Sequence, residues 1–223
     1  MRKVKYLILL AFLVAAGYYG HQFYTKYVIQ NEVLKKIITR LEADSRVGEV
    51  LVTDVHTDEH GNRWTTIKFL EYDTSGQPLE PKYFRFLGNI IQFQSLVVRF
   101  DDVYIRGGDP LRGKSAYLFW KAFILEGPKT QEFEITKMSG IPAGYKLEGE
   151  TTHYEKEFWK EFWQYALDPN IAQKKGIKNA QLEAPGTKFI PGLLYTLKIE
   201  HDGGIRIDVS PIPQILKGEK IIE

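Results

Sequence analysis

The chain has 223 residues, 43% of them hydrophobic and 26% charged, so its bulk is expected to fold rather than stay disordered. Thirty basic and 28 acidic residues leave a net charge of +2; without Arg2, Lys3 and Lys5 the balance is 27 against 28, which excludes a basic nucleic-acid footprint. The absence of cysteine excludes a disulfide framework, a thiolate metal site and a thiol nucleophile.

Arg2, Lys3 and Lys5 precede an uncharged run, residues 6–20, dominated by Leu, Ile, Val, Ala and Phe. A basic end before an apolar run reads as an export signal, with the positive residues held in the cytoplasm. The run is short for a transmembrane helix, which needs about 20 residues and at least about 17. Including Val4, with Lys5 snorkelling toward the headgroups, reaches that limit. Val14 and Ala16 also suit a signal peptidase, which would cleave after Ala16. Tyr18, Tyr19, Phe23, Tyr24 and Tyr27 crowd the far end, and such rings favour the membrane–water interface. Residues 1–24 are therefore expected to be an uncleaved transmembrane anchor, with a signal peptide as the alternative. The expected address is the inner (cytoplasmic) membrane of a bacterial envelope, single-pass, with the bulk of the chain on the extracytoplasmic (periplasmic) side.

Residues 25–44 read as a helical stalk. Tyr27, Leu34 and Leu41 are spaced by seven, with Val33, Ile37 and Ile38 on the same side, forming one apolar stripe. Two heptads fit either a short coiled coil that oligomerises the protein or a helix packed on its own domain. A protein partner or weak homo-oligomer through the stalk is the corresponding expectation, together with the membrane and without nucleic acid.

Residues 45–223 are expected to form one mainly-β domain. Val50, Val52 and Val55 lead into a turn at His60, Gly61 and Asn62, and 64–72 returns as the second half of a hairpin. Residues 82–86 and 90–100 read as strands divided by Gly88 and Asn89, the second apolar on both faces toward its end, as a doubly covered strand would be. Residues 116–125 and 132–138 make a further pair. An amphipathic helix over 152–167 follows, stopped by Pro169. Its aromatic half includes Phe158, Trp159, Phe162 and Trp163, read as a core face rather than an interaction face because stripes at helical spacing usually mean burial. Residues 170–192 read as irregular, and 193–200 with 205–209 as a last hairpin around Asp202, Gly203 and Gly204. The expected fold is a bent antiparallel sheet, sandwich or open barrel of eight or nine strands, with one aromatic helix closing an end.

Residues 108–115, with Gly108, Gly113, Lys114 and Ser115 at the key positions, fit G-x-x-x-x-G-K-[ST]. Over these eight residues the chain resembles the phosphate-loop NTPases, which implies phosphate binding by backbone amides and the lysine. That motif opens a helix in a parallel α/β sheet, whereas Tyr117, Leu118, Phe119 and Trp120 follow here, a β composition. The segment is read as a turn between strands, and no cofactor is expected.

His56, Asp58 and His60 alternate and would share a strand face as metal ligands, but they run straight into a turn. A polar hairpin tip is the expectation. Asp101 and Asp102, His153, and His201 with Asp202 offer isolated acid–base groups without a nucleophile-elbow arrangement, so no catalytic residue is assigned. The expected function is a non-catalytic, membrane-anchored interaction or assembly module. The alternatives are a β domain binding an apolar lipid-like or glycan ligand, and an envelope hydrolase.

Overall fold

The computed structural model describes residues 2–24, 30–41, 46–100, 115–125, 130–147, 149–168, 170–171, 177–199 and 204–214. Among these residues two helices, α1 (Arg2–Phe23) and α2 (Gln30–Leu41), precede ten strands. These are β1 (Arg46–Thr57), β2 (Arg63–Glu71), β3 (Lys82–Leu87), β4 (Ile90–Phe100), β5 (Ser115–Ile124), β6 (Gln131–Glu134), β7 (Ile177–Glu183), β8 (Gly186–Lys188), β9 (Leu193–Ile199) and β10 (Ile205–Pro211). The third helix, α3 (His153–Leu167), lies between β6 and β7.

The strands make two antiparallel sheets. One has the order β10-β9-β1-β2-β3; the other is β6-β5-β4-β7, with β8 also on β4. The sheets face each other across one core, to which β1, β2, β3 and β9 give Val50, Phe69, Phe86 and Leu197, and β4 and β5 give Phe93 and Phe119. Phe69 is its hub, with ring centroids 5.3 Å from Phe93 and 5.4 Å from Phe119. The architecture is thus a sandwich, within the class the alternating pattern predicts.

Gly88, at φ 81°, is where the chain leaves the first sheet for the second. Its amide donates to the Arg63 carbonyl at 2.7 Å, so the corner stays tied to β2. A residue with a Cβ is disfavoured there, which explains the glycine.

A second core lies on the other face of β4 and β5. Leu96, Val98, Ala116 and Leu118 point away from the first core and meet Trp159, Phe162, Trp163 and Ala166 of α3. Val33 and Ile37 of α2 join this cluster, so α2 packs on its own domain rather than standing clear of it. The molecule is therefore layered: a sheet with one open face, a doubly covered sheet, and a helical layer. β4 is the doubly covered strand that its sequence predicts.

The extra residue Trp120 sets which β5 side chain goes where. Pairing with β4 skips from Phe119 to Lys121, a bulge. Tyr117 and Phe119 face the inter-sheet core before it, and Ala122 and Ile124 after it, while Trp120 turns to the helical layer. β6 is too short to cover the whole β5 edge, so side chains finish the job. The Tyr145 hydroxyl accepts from the Tyr117 amide at 3.0 Å and donates to the Tyr117 carbonyl at 2.8 Å. Thr136 donates to the Phe119 carbonyl at 2.7 Å.

The stretch 170–192, expected to be irregular, contains β7 and β8. Both pair with β4 and are separated by Ala184 and Pro185. Together they form an edge strand broken where proline removes a donor. Hydrogen bonding to β4, not an apolar pattern, makes them strands.

α1 differs from everything else. Every one of its side chains described, from Tyr6 to Phe23, is exposed, including Leu9, Leu10, Phe12, Leu13 and Val14. Among the described residues no helix is long and apolar enough to cross a membrane.

Candidate functional site

The polar cluster on the open face of the first sheet grows from the β1–β2 hairpin. Outward-facing Asp54 and His56 sit on β1 beyond a register slip at Val52. His56 Nδ1 lies 2.9 Å from Asp54 Oδ2, and His56 Nε2 lies 2.9 Å from Arg85 Nη2 on β3. Arginine can only donate, so Nε2 accepts and the Nδ1 proton goes to Asp54. The Arg85 guanidinium also stands 5.2 Å from the Trp64 ring centroid, a cation–π contact.

Asp58 organises the hairpin tip. Its Oδ1 accepts from the amides of His60 at 3.0 Å and Asn62 at 2.8 Å. Its Oδ2 accepts from Asn62 Nδ2 and Trp64 Nε1, both at 3.0 Å. The Trp64 and Asn62 side-chain donors hold its carboxyl down at about 2. His56, Asp58 and His60 are thus held by the hairpin. Among the described residues no three such side chains converge to hold a metal ion.

Gly108, Gly113 and Lys114 lie outside the described residues, as do Asp101, Asp102, His201 and Asp202. Ser115 is the first residue of β5, so it opens a strand where a phosphate loop opens a helix. His153 begins α3 with an exposed side chain, 3.7 Å from Glu157 one turn along the same helix. Trp159, Phe162 and Trp163 are buried, and Phe158 is half-buried against the same cluster.

α3 starts where its sequence says it should. Thr152 caps it by accepting from the Glu155 amide at 3.1 Å. In a capping box the glutamate reaches back to the cap residue. Here the fully buried Glu155 accepts from the Leu147 amide at 3.0 Å instead, pinning the preceding loop to the helix start. Trp163 Nε1 donates to the Gly140 carbonyl at 2.8 Å and fixes the same loop from the other side.

A cavity of about 330 Å³ opens at the end of the sandwich, between the β2–β3 connection and the chain after β6. Phe69, Ile135 and Pro81 give it apolar walls. Glu71 is buried at its inner end, whereas Glu80 and Lys82 are exposed at the rim. The connection that frames it is stiffened at both ends. Asp73 Oδ1 accepts from the Ser75 and Gln77 amides, both at 2.8 Å, and the Leu79 amide donates to the Glu71 carbonyl at 2.8 Å. Nearby, the Tyr72 hydroxyl donates to Glu49 Oε2 at 2.6 Å, which pushes the phenol up to about 12.

Sequence reasoning passed over this cavity. The one trace of Glu71 was its parity: Thr65, Ile67, Phe69 and Glu71 alternate, which puts a carboxylate on the core side of β2. No protein-family model, curated protein or solved structure matches the chain.

Proposed function

We propose that this chain is an anchored interaction or assembly module of a cell envelope, held at a membrane by α1, with its sandwich on the extracytoplasmic side. The observation that carries the reading is the exposure of α1. Successive helical residues point about 100° apart, so Leu9, Leu10, Phe12, Leu13 and Val14, with Ala11 and Ala15 on the remaining side, make the helix apolar all round. Such a helix belongs in an apolar surround, not on a water-facing surface. Its basic start and its Tyr18, Tyr19 and Phe23 end match the two faces of a bilayer. The apolar stretch is short, so the anchor relies on Lys5 reaching the headgroups.

A non-catalytic role is favoured because the polar groups near His56 are spent on tying strands together. A lipid-binding role would need a deep apolar interior, and the inter-sheet space is filled by Phe69, Phe93 and Phe119. Fractionation with sequencing of the mature N-terminus tests the proposal. Full-length chain in the membrane pellet after alkaline carbonate, moved to the soluble fraction by deletion of residues 2–24, is the expected result. A soluble product beginning at Gly17 would overturn it.

A further inference from the structure

We propose that His56 is a proton-operated clasp on the open face of the first sheet: its neutral ring holds Arg85 of β3, and its protonated ring releases it. This goes beyond the anchored-module reading and stands without it. The two ring nitrogens have opposite tasks. Nδ1 donates to Asp54 Oδ2 and Nε2 accepts from Arg85 Nη2, each at 2.9 Å. β1 is the middle strand of its sheet and β3 an edge strand, so the clasp spans β2 and ties the edge to the centre. With 39% of its side chain exposed, His56 takes its proton from solvent without any opening of the fold.

Donor chemistry decides which partner leaves. A protonated imidazole donates from both nitrogens, so Nε2 turns from an acceptor into a donor facing a group that can only donate. Two cations then stand where one did. At Nδ1 the same proton has the opposite effect, because the hydrogen bond to the Asp54 carboxylate now joins two ions and strengthens. His56 therefore stays with Asp54 and Arg85 departs. The guanidinium keeps its place over the Trp64 ring, 5.2 Å from the centroid. The strand beneath it need not move, since the Arg85 carbonyl still accepts from Gln131 Nε2 at 3.2 Å. The ladder neighbours on β2 do not ionise: His56 pairs with Trp64, and both Asp54 and Arg85 pair with Thr66. Lys68, the next charged residue on that face of β2, is four positions beyond Trp64. In the hairpin turn Glu59 and His60 are exposed. Asp58 is bound to Trp64 Nε1 at 3.0 Å and, titrating at about 2, stays an anion over the range in which histidines change charge. As pH falls, the open face gains one positive charge at His56 and uncovers another at Arg85.

Contacts this exposed contribute little to global stability, so the readout has to be local. Side-chain nitrogen NMR of the full chain in amphipol, with histidine and arginine labelled, tests the clasp over about pH 8 to 5, where histidines as a class titrate. At the upper end His56 should be the Nδ1–H tautomer. The Arg85 Nη signals should be separate there, their rotation hindered by the bond to Nε2. As His56 protonates those signals should merge, with the same midpoint. His56→Gln removes the proton site and should abolish the transition at Arg85, whereas His60→Gln at the hairpin tip should leave it in place. An Nε2–H tautomer in neutral His56, Arg85 signals that do not follow its protonation, or the same merging in His56→Gln would overturn the proposal. Should His56→Gln fail to fold, the wild-type tautomer and the shared midpoint still decide. None of these readings depends on α1, so the clasp and the anchor fail separately.

Discussion

Tyr145 has a structural task that no sequence pattern announces. Its single hydroxyl serves both the amide and the carbonyl of Tyr117. Tyr145→Phe keeps the ring and removes both of these hydrogen bonds, together worth about 1–3 kcal/mol. Chemical denaturation should show a loss of at least that size, whereas Tyr83→Phe, at an exposed ring, should change little. Gly48 is the converse case, where the absence of a side chain matters. A Cβ there would sit 2.7 Å from Phe69 Cε2, with Phe119 behind it. Gly48→Ala should therefore cost about 1–3 kcal/mol through overpacking. Asp58 gives a pH signature. Its carboxyl titrates near 2 in the fold against an ordinary 3.8, so the stability it adds is complete above about pH 4 and is lost as pH falls through 2. Melting temperatures between pH 5 and pH 2 should fall less steeply in Asp58→Asn than in the wild type. Equal slopes would show that the hairpin bonds do not form in solution. The polar hairpin tip was legible because His60, Gly61 and Asn62 are turn residues. The partners of Asp58 were not, because Trp64 reaches it only once β2 has folded back.

At the scale of elements, periodicity carried most of the fold. β4 spans residues 90–100 as its double-sided apolar pattern predicts, and α3 begins at the Thr152 cap. The helical layer is a core, not a platform. Phe162→Ala or Trp159→Ala should cost about 3–5 kcal/mol, against little for Lys160→Ala on the exposed side. Wild-type stability in the aromatic variants would contradict the burial. Ile37, 2% exposed, makes the same test for α2: Ile37→Ala should lose about 2–5 kcal/mol. Burial of Val33 and Ile37 also explains why the stalk's heptad was ambiguous, since a stripe reads the same whether it meets another chain or its own domain. β7 and β8 were illegible for a different reason. Their residues, Ile177 to Lys188, alternate weakly and contain Pro185, and only the long neighbour β4 gives them ladder partners.

At the scale of the whole molecule, an apolar helix, exposed at each of its described side chains from Tyr6 onward, precedes a sandwich with a small recess at its end. The recess was hidden in the sequence because its lining comes from 69–82 and 135–143, segments that only the paired sheets bring together. The location, by contrast, rests on α1 and its flanks alone. Cysteine labelling tests it most directly, because the chain has no cysteine of its own and a single introduced thiol reports alone. Ser75 sits exposed in the β2–β3 turn, and Lys3 lies at the start of α1. In intact cells a membrane-impermeant maleimide should label Ser75→Cys and spare Lys3→Cys until the cells are opened. Labelling of Lys3→Cys in intact cells, or protection of Ser75→Cys there, would contradict the anchored, outward-facing arrangement.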